Sequence, residues 1–429
     1  MARKILLALL MITLVGSVLR LWNLSVMPVS LFGDELDVGY QAYSILKTGK
    51  DYSGNSWPIH FQSLAEWRTP LYLYSAVPTV ALFGISPLGV RLPAALFGTL
   101  TIPLIFYLVL ELTRSEKQST GNKTVALLAA FFLAVSPWHI QYSRAAFEVT
   151  ELLFFLIAGV FLTLRAFRTK GASLWMAGFC FALLPWIYST AKLFTPFFLL
   201  IMAFVYWKQL FKLPRKALFI AGVVAFVVGA PITWDTLFGG GTARFNYISV
   251  FSDPTVEPEI GTARQNDAPL RGETGSGLRP TTVDRLFHNK FTYWGDAILK
   301  NYFMPLSSDF LFISGDPNPR HSIEGMGMFY KFEIIGLIAG IILFVSTSID
   351  RKVKYLIACW ILLGLVPSSL TRDGGNHATR LILILPPLVV LISYGFYEFV
   401  SRAKKSYRSV CISALVALFM LSFASYEHL

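Results

Sequence analysis

Long, uninterrupted apolar segments recur along this chain and limit what it can fold into more than any other feature. Each of eleven segments is close to the roughly 20 residues with which an α-helix crosses a bilayer core. Strands of a membrane β-barrel alternate apolar and polar residues in short segments, whereas these segments are continuous. The sequence therefore predicts an all-α polytopic membrane protein of about eleven transmembrane helices. The segments cover residues 5–22, 87–112, 124–137, 149–167, 172–188, 194–207, 216–234, 327–348, 353–370, 379–400 and 408–425.

The composition and the charge distribution agree with this prediction. Of 429 residues, 55% are hydrophobic and 14% are charged, whereas about 25% of residues are charged in soluble domains. The formal net charge of +12 would suggest nucleic acid as a partner of a soluble protein. Here the Lys and Arg residues concentrate in short loops between apolar segments, as they do in cytoplasmic loops. We expect a cytoplasmic N-terminus, a plasma membrane of bacterial or archaeal type, and no binding of nucleic acid.

The stretch 70–84 decides the predicted topology. It is short for a transmembrane span and contains Pro78. If it does not cross, the basic loops all lie on the side of the N-terminus, as the positive-inside rule requires. We therefore predict two interfacial helices in the first outer loop, 23–86. The first is amphipathic, begins near Asp34 and turns its polar face to water, and the second covers 70–84. The polar face of the first helix consists of Asp34, Asp37, Gln41 and Ser44.

This topology divides the chain into three parts. We expect a transmembrane module over 1–234, a large extracytoplasmic loop over 235–326, and C-terminal transmembrane helices over 327–429. Polar residues that could act together then face the outer side of the membrane. They lie in four outer segments, 23–69, 137–148, 235–326 and 371–378.

The first outer segment contains an acid pair, Asp34 and Glu35, at the start of the predicted amphipathic helix. Carboxylates beside a bilayer are costly unless they face water, pair with a cation or take part in chemistry. The simpler explanation is that acidic residues favour a helix N-terminus. The pair alone does not separate the two explanations.

Further candidate site residues lie in all four outer segments. Some have a simple structural explanation, since Glu66 with Arg68 and Arg144 with Glu148 could be local ion pairs. Together they predict a cavity at the depth of the lipid headgroups, where arginine would bind a lipid phosphate through its planar fork of donors. The candidates are Glu66, Arg68, His139, Arg144, Glu148, Arg320, His321, His377 and Arg380.

The sequence shows no compact set of metal ligands. His139, His321 and His377 lie in three different outer segments and could approach one another in three dimensions. The sequence therefore does not decide whether the protein binds a divalent metal ion. No other cofactor is expected.

Several segments of the chain resemble a known family. "FGDE" at 32–35, "RTPLYLY" at 68–74 followed by "FGISPLGVRLPAALFGTL", and "SPWHIQYSRAAFE" at 136–148 are similar, in this order, to the dolichyl-phosphate-mannose protein mannosyltransferases of glycosyltransferase family 39. The bacterial aminoarabinose transferases of lipid A share this plan, and both have the GT-C membrane fold. The likeness covers roughly residues 1–210, and "GDPNPRH" and "NHATR" resemble loops of bacterial relatives.

The resemblance implies an inverting membrane glycosyltransferase that moves mannose or a similar hexose from a polyprenyl-phosphate donor to a hydroxyl group outside the cytoplasm. Asp34 matches the family's catalytic acid and would take the acceptor proton, while Glu35 would position acceptor or donor. Arg144 matches an arginine that would hold the donor phosphate. Glu66 and Arg68 fall where the aminoarabinose enzymes carry an acid–lysine pair before proline, which is a partial match.

Two points of this prediction have alternatives: the chemical class of the acceptor, and whether the protein is an enzyme, a transporter or a structural protein. The acceptor is a protein Ser/Thr hydroxyl or, alternatively, lipid A or another cell-envelope glycan. The large loop is too short for the carbohydrate-binding insert of eukaryotic mannosyltransferases, and the outer domain that many relatives carry after the last span is either missing or was cut from the sequence. A more remote alternative is a transporter or flippase of lipid-linked sugars, which would need charges within spans and repeat symmetry. A structural membrane protein would not need these polar groups on one face.

Overall fold

The computed structural model of the chain describes residues 2–63, 66–114, 120–269, 281–347 and 349–427, and most of these are α-helical. The hairpin of strands β1 (Phe61–Ser63) and β2 (Glu66–Arg68) is antiparallel. The first helices are α1 (Ala2–Leu21), α2 (Gly33–Thr48), α3 (Leu71–Phe83), α4 (Pro87–Leu112), α5 (Thr120–Val135), α6 (Pro137–Arg144), α7 (Val149–Ala166), α8 (Leu174–Ile187), α9 (Ala191–Val205), α10 (Trp207–Leu210) and α11 (Arg215–Phe238). The later helices are α12 (Ala243–Ile248), α13 (Val256–Asp267), α14 (Thr282–Phe287), α15 (Lys290–Phe303), α16 (Glu333–Ser346), α17 (Arg351–Ser369), α18 (Ala378–Leu381), α19 (Leu385–Arg402) and α20 (Arg408–Glu427).

Among the described residues, seven helical segments are long and apolar enough to cross a membrane. Helices α5 and α6 would form an eighth span together, although they bend by 51° where Pro137 begins a new helix. Helices α8, α9 and α16, which also match predicted spans, are shorter apolar helices. The prediction of a polytopic α-helical membrane protein is confirmed, but a count of eleven spans is not. The seven segments are Arg3–Leu21, Pro87–Leu112, Val149–Ala166, Arg215–Phe238, Arg351–Ser369, Ala378–Arg402 and Lys405–Tyr426.

Helix α19 lies at the centre of the bundle, and α11 and α20 lie at its edge. Of the apolar segment that contains α19, 89% is buried within the protein. The buried share is 11% for the segment of α11 and 0% for that of α20. Helix α16 packs on α19 with its backbone very close to that of its neighbour. A Cβ atom at Gly340 would overlap the carbonyl of Leu391, and one at Gly395 would overlap that of Gly336. Small residues at such crossings let membrane helices approach closely.

The first outer loop packs on the bundle through α2, α3 and the hairpin. Helix α3 contacts both α2 and α4, and its Tyr72 and Ala76 are buried there. Its 13 residues span only about 20 Å, which is less than the hydrocarbon core of about 30 Å.

The orientation predicted for α2 is wrong. Asp37 and Gln41, which we expected on a water-facing side, are buried against the protein, whereas Leu36, Tyr40 and Tyr43 are exposed. The two polar side chains are buried because the β-hairpin supplies them with an arginine and a main-chain carbonyl. The exposed face of α2 is therefore the apolar and aromatic one.

The third and fourth outer segments are joined to each other by hydrogen bonds. Ser249 and Thr371 form an isolated antiparallel bridge, and the N–H of Val250 donates to the carbonyl of Leu370 at 3.0 Å. Asn301 Nδ2 donates to the Thr371 carbonyl at 2.8 Å. Residues 270–280 of the predicted large loop lie outside the described residues, and the division into three parts stays a prediction.

Candidate active site

Asp34 presents a half-exposed carboxylate at the beginning of α2. Its side chain is 51% exposed, and Arg320 Nη1 lies 3.4 Å from its Oδ2. The guanidinium of Arg320 also lies 5.6 Å from the ring centre of Phe32, which holds it beside the helix N-terminus. Because Arg320 is itself 47% exposed, a substrate can reach the carboxylate. The fold thus brings together two predicted site residues that lie in different outer segments.

Glu35 is fully buried and its carboxylate is saturated with hydrogen bonds. Arg91 reaches it with two nitrogens, Nε to Oε1 at 2.7 Å and Nη2 to Oε2 at 2.9 Å. The main-chain N–H of Ala146 donates to Oε1 at 3.0 Å, and that of Phe32 donates to Oε2 at 3.3 Å. A carboxylate has about four acceptor positions, so these bonds leave none for a substrate. In this structure Glu35 joins α2, α4 and the second outer segment.

Arg68 connects the hairpin to α2 and to the start of α7. Its Nη1 donates to Asp37 Oδ2 at 2.9 Å and to the main-chain carbonyl of Asp34 at 3.1 Å. Its Nη2 lies 3.7 Å from Glu148 Oε2. Burial alone would lower the pKa of Arg68, but the carboxylates of Glu148, Asp37 and Asp34 outweigh burial and raise it above its usual value. Arg68 therefore stays positively charged, and it is hydrogen-bonded to the main chain of Asp34.

Glu148 lies beside Arg68 in the fold, and Glu66 lies two positions before Arg68 in the sequence. Burial raises the pKa of Glu148, and Arg68 partly offsets this. Glu66 begins strand β2 and is paired in register with Ser63. The predicted pairing of Arg144 with Glu148 is absent among the described contacts, because Glu148 lies beside Arg68 instead.

His139 and Arg144 bind to the end of α1 and not to one another. Arg20 Nη2 donates to His139 Nδ1 at 2.8 Å, and both side chains are buried. Arg144 Nη1 donates to the carbonyls of Leu19 and Trp22, each at 2.9 Å, and Nη2 donates to that of Met27 at 3.1 Å. These bonds fix the second outer segment to the first, and binding of an anion by Arg144 stays a prediction.

His321 and His377 meet next to Asp316, a residue that the sequence did not single out. The two imidazole centres lie 4.7 Å apart, and His321 Nδ1 lies 2.9 Å from Asp316 Oδ2. Burial alone would raise the pKa of Asp316, but hydrogen bonds from His321 and from the N–H groups of Asn318 and Ala378 hold it below its usual value. Burial, followed by the nearby charge of Arg380, lowers the pKa of His377 to about 3. His139 does not join this group.

Arg380 lines a small basic cavity on the side of the fourth outer segment. Its Nη1 lies 2.5 Å from Asp373 Oδ1 and 2.7 Å from Thr371 Oγ1. The cavity measures about 290 Å³, and its lining includes two further cations, Lys192 and Arg244. Three positively charged side chains around one cavity suit an anionic ligand.

A larger apolar groove adjoins the basic cavity. It measures about 540 Å³ and lies between α8, α9 and α11, and Lys192 lines both spaces. Lys192 Nζ donates to His60 Nε2 at 2.8 Å and to the carbonyl of Gly241 at 3.0 Å. His60 Nδ1 in turn lies 2.5 Å from Asp235 Oδ2.

Sequence reasoning missed Lys192, Arg244, Arg91 and Asp316. The only available signal for Lys192 was a single lysine in the first turn of an apolar helix. Arg91 lies inside the apolar segment that forms α4, and a charge within a span is itself a sign of function or pairing.

Comparisons with known proteins give the family and the fold of the chain. Residues 10–239 match the model of the family described as dolichyl-phosphate-mannose-protein mannosyltransferase. No curated protein sequence matches the chain.

Two solved structures have a similar fold. The archaeal oligosaccharyltransferase AglB from Archaeoglobus fulgidus, in complex with an inhibitory peptide and a dolichol-phosphate, superposes with a TM-score of 0.57 at 16% identity, over 98% of this chain and 56% of that one. ArnT from Cupriavidus metallidurans bound to undecaprenyl phosphate gives a TM-score of 0.56 at 12% identity, over 97% of this chain and 63% of that one. The chain therefore spans less than two thirds of either protein. The likeness confirms the predicted GT-C fold.

Proposed function

The chain belongs to the dolichyl-phosphate-mannose-protein mannosyltransferase family, and from this membership we propose that it is an inverting membrane glycosyltransferase. It moves a hexose, mannose or a similar sugar, from a polyprenyl-phosphate donor to a hydroxyl acceptor on the outer side of the membrane. Asp34 is the base, and the donor occupies the groove and the basic cavity that meet at Lys192.

The observation that carries this proposal is the junction of the two cavities. The groove between α8, α9 and α11 is lined mainly by apolar side chains, which suits a prenyl chain because hydrocarbon packs against them without burying unsatisfied polar groups. At its end the lining changes to Lys192, Arg244 and Arg380, which suits a phosphate. An apolar groove that ends at a cluster of cations fits an amphiphilic anion such as a lipid phosphate.

The chemistry follows from where the charges lie. The acceptor hydroxyl attacks the anomeric carbon while Asp34 accepts its proton, and the bond from that carbon to the phosphate oxygen breaks with its electron pair. Polyprenyl phosphate leaves with an additional negative charge, which Lys192, Arg244 and Arg380 stabilise. Attack from the side opposite the leaving group inverts the anomeric configuration. A positioned base typically contributes about 10²–10⁴-fold, and fixed cations at the leaving group contribute further.

Arg320 and Arg68 hold the base in place in this scheme. Arg320 contacts the Asp34 carboxylate, and Arg68 binds the main-chain carbonyl of the same residue. Glu35 acts through the fold, since its pairing with Arg91 fixes the first turn of α2 against α4.

The test is turnover of a lipid-linked sugar by the purified protein in detergent. Wild type is incubated with radiolabelled polyprenyl-phosphate mannose and a Ser/Thr-rich peptide, beside Asp34→Asn and Glu257→Gln. Glu257 is a matched control because it is an exposed acid paired with Lys290 in the large loop. We expect release of polyprenyl phosphate by wild type and Glu257→Gln and its loss in Asp34→Asn. Full turnover by Asp34→Asn would overturn the role of Asp34.

The product of the same reaction identifies the acceptor class. Label on the peptide supports protein O-glycosylation, while label on lipid A or on a cell-envelope glycan supplied in its place supports the alternative acceptor. If no lipid-linked sugar in a panel of donors is turned over, the transporter alternative replaces the enzyme.

A further inference from the structure

We propose that a cavity between α4, α5 and α7 binds the headgroup phosphate of an anionic phospholipid. The cavity lies at the end of the bundle opposite the candidate active site. Glu111, which lines it, comes 20 positions after Arg91 on α4, and 20 residues of helix span about 30 Å. Arg91 itself binds Glu35 beside the active site. The cavity is therefore about one hydrocarbon core away from the proposed transfer reaction and does not depend on it.

Three positively charged side chains from different parts of the fold line this cavity. Arg114 follows the end of α4, Lys123 lies in the first turn of α5, and Arg165 lies in the last turn of α7. The cavity measures about 200 Å³, which is room for several water molecules of about 30 Å³ each. Cations that converge on one enclosed space favour an anionic ligand.

The lining that the structure describes contains one acid, Glu111, and this acid is already engaged. Its Oε1 accepts a hydrogen bond from Arg168 Nη2 at 2.6 Å, and Arg114 Nη1 lies 3.9 Å from the same oxygen. The guanidinium of Arg165 lies against an aromatic ring, 5.8 Å from the ring centre of Phe161. The positive charges around the cavity therefore outnumber the negative one, and an anion would balance them.

The rest of the lining is apolar and continues into an exposed stripe of α4, which identifies the anion as a lipid. Tyr107, Leu110 and Phe161 line the cavity, and the rings of Tyr107 and Phe161 lie 6.1 Å apart. Tyr107, Leu96 and Leu100 are exposed, and at 100° per residue these three positions lie within about 40° of one another on the helix. Exposed apolar residues of a transmembrane helix face lipid. A phosphate in the cavity would thus carry its hydrocarbon chains along this stripe.

The simpler explanation is the general enrichment of Lys and Arg in cytoplasmic loops. It accounts for the number of these residues but not for their positions. Lys123 is the fourth residue of α5, where the partial positive charge of the helix N-terminus disfavours a cation. A basic residue of another loop is compensated within its own helix, since Arg402 Nε lies 3.0 Å from Glu398 Oε2. The cations of the cavity instead come from three elements and face a common space.

The experiment measures binding of radiolabelled phosphatidylglycerol to the full-length protein, immobilised in detergent. We expect saturable binding by wild type and weaker binding of labelled phosphatidylcholine, whose headgroup has no net charge. The Kd for phosphatidylglycerol should rise roughly 10- to 100-fold in Lys123→Ala and in Arg165→Ala, the effect of losing one hydrogen bond to a charged group. Lys212→Ala is the matched control and retains the wild-type Kd, because Lys212 is an exposed lysine outside the cavity.

A conservative variant and the melting temperature separate a binding site from a folding defect. Lys123→Arg keeps the charge and should keep the affinity, whereas Lys123→Ala should lose affinity and still elute as a single species at the wild-type volume. Because a bound phosphate would connect α4, α5 and α7, phosphatidylglycerol should raise the melting temperature of wild type. The same lipid should raise that of Lys123→Ala less.

Three results would overturn the proposal. The first is the same Kd for wild type, Lys123→Ala and Arg165→Ala. The second is a Kd that rises in Lys192→Ala and not in Lys123→Ala, because the lipid would then occupy the cavity assigned to the donor. The third is release of the bound lipid by an excess of glycerol 3-phosphate, because a soluble phosphate would then suffice and the apolar stripe of α4 would have no part in binding.

Discussion

Glu35 and Arg91 form a fully buried ion pair in which two nitrogens of Arg91 meet the two oxygens of Glu35. The neighbouring acid, Asp34, has a half-exposed carboxylate. Consecutive side chains on a helix point about 100° apart, so one acid of the pair faces the core and the other faces the outer surface. The pair therefore combines a structural acid with an accessible one.

Replacing Glu35 by Gln should destabilise the protein. Breaking a buried ion pair leaves the charge of Arg91 uncompensated and typically costs about 3–5 kcal/mol. Thermal unfolding in detergent should show a clear fall in the melting temperature of Glu35→Gln, and a change for Asp34→Asn within about 0.5 kcal/mol, as for an exposed site. A Glu35→Gln protein that melts like wild type yet has lost turnover would instead place Glu35 in the chemistry.

Replacing Lys192 by Ala should weaken binding of the lipid-phosphate donor. A hydrogen bond to a charged group contributes about 1.5–3 kcal/mol, so we expect the KM for the donor to rise roughly 10- to 100-fold. The KM for the acceptor should change little. Lys208→Ala, in the short helix α10, is a control that removes a lysine outside both cavities. An equal loss in the two variants would argue against a phosphate at Lys192.

His60 should make the stability of the protein depend on pH. Burial and then the charge of Lys192 lower its pKa from 6.5 to about 4, against the opposing effect of Asp235. Between these values the unfolded chain binds a proton that folded His60 does not, so stability rises with pH across this range and falls as the solution is acidified from about 6.5 towards 4. The difference corresponds to at most about 3 kcal/mol.

The measurement is the melting temperature of wild type and His60→Gln from pH 4 to pH 7.5. The variant should show a shallower decline on the acid side, because residue 60 no longer titrates. His288→Gln, which removes a less buried histidine, serves as the control. Parallel curves for wild type and His60→Gln would show that His60 is not responsible.

The helices were predictable from the sequence because the apolar segments are continuous. Helices α4 and α7 begin and end close to the segments 87–112 and 149–167. The face of α2 was not predictable in this way. The pattern of polar residues showed that Asp37 and Gln41 share a side, but their partners lie on the hairpin, 31 and 21 positions further along. Polarity alone does not tell whether such a side faces water or a buried arginine.

The candidate site was predictable where the motif itself carries the chemistry, and not where the fold assembles it. Asp34 could be named from the resemblance of the segment FGDE, at the start of α2, to a known family. Arg91 is a lone charge inside an apolar segment, and Lys192 is a lone charge between two of them. Only the tertiary structure shows that Arg91 binds Glu35 and that Lys192 lines two cavities. Asp316 likewise gives no signal in the sequence, because His377, which lies near it in the fold, is 61 positions further along the chain.

Filling the apolar groove should impair use of a long-chain donor without changing the chemical step. Gly229 lines the groove on α11, and a Cβ atom there would lie 3.8 Å from the nearest side chain, so Gly229→Phe should fold. If its ring removes about ten packing contacts between the groove and the prenyl chain, at about 0.1–0.2 kcal/mol each, the KM for the donor should rise roughly 5- to 30-fold. Because Asp34 and the cations are untouched, kcat should stay close to that of wild type.

Gly222 provides the matched control on the same helix. It is exposed, and a Cβ atom at this position meets nothing within 4 Å, so Gly222→Phe adds the same ring outside the groove. Initial rates over a range of donor concentrations should give a normal KM for Gly222→Phe and a raised KM for Gly229→Phe. Both substitutions place the same bulky side chain on α11. Equal KM values for the donor in the two variants would therefore mean that the prenyl chain lies elsewhere.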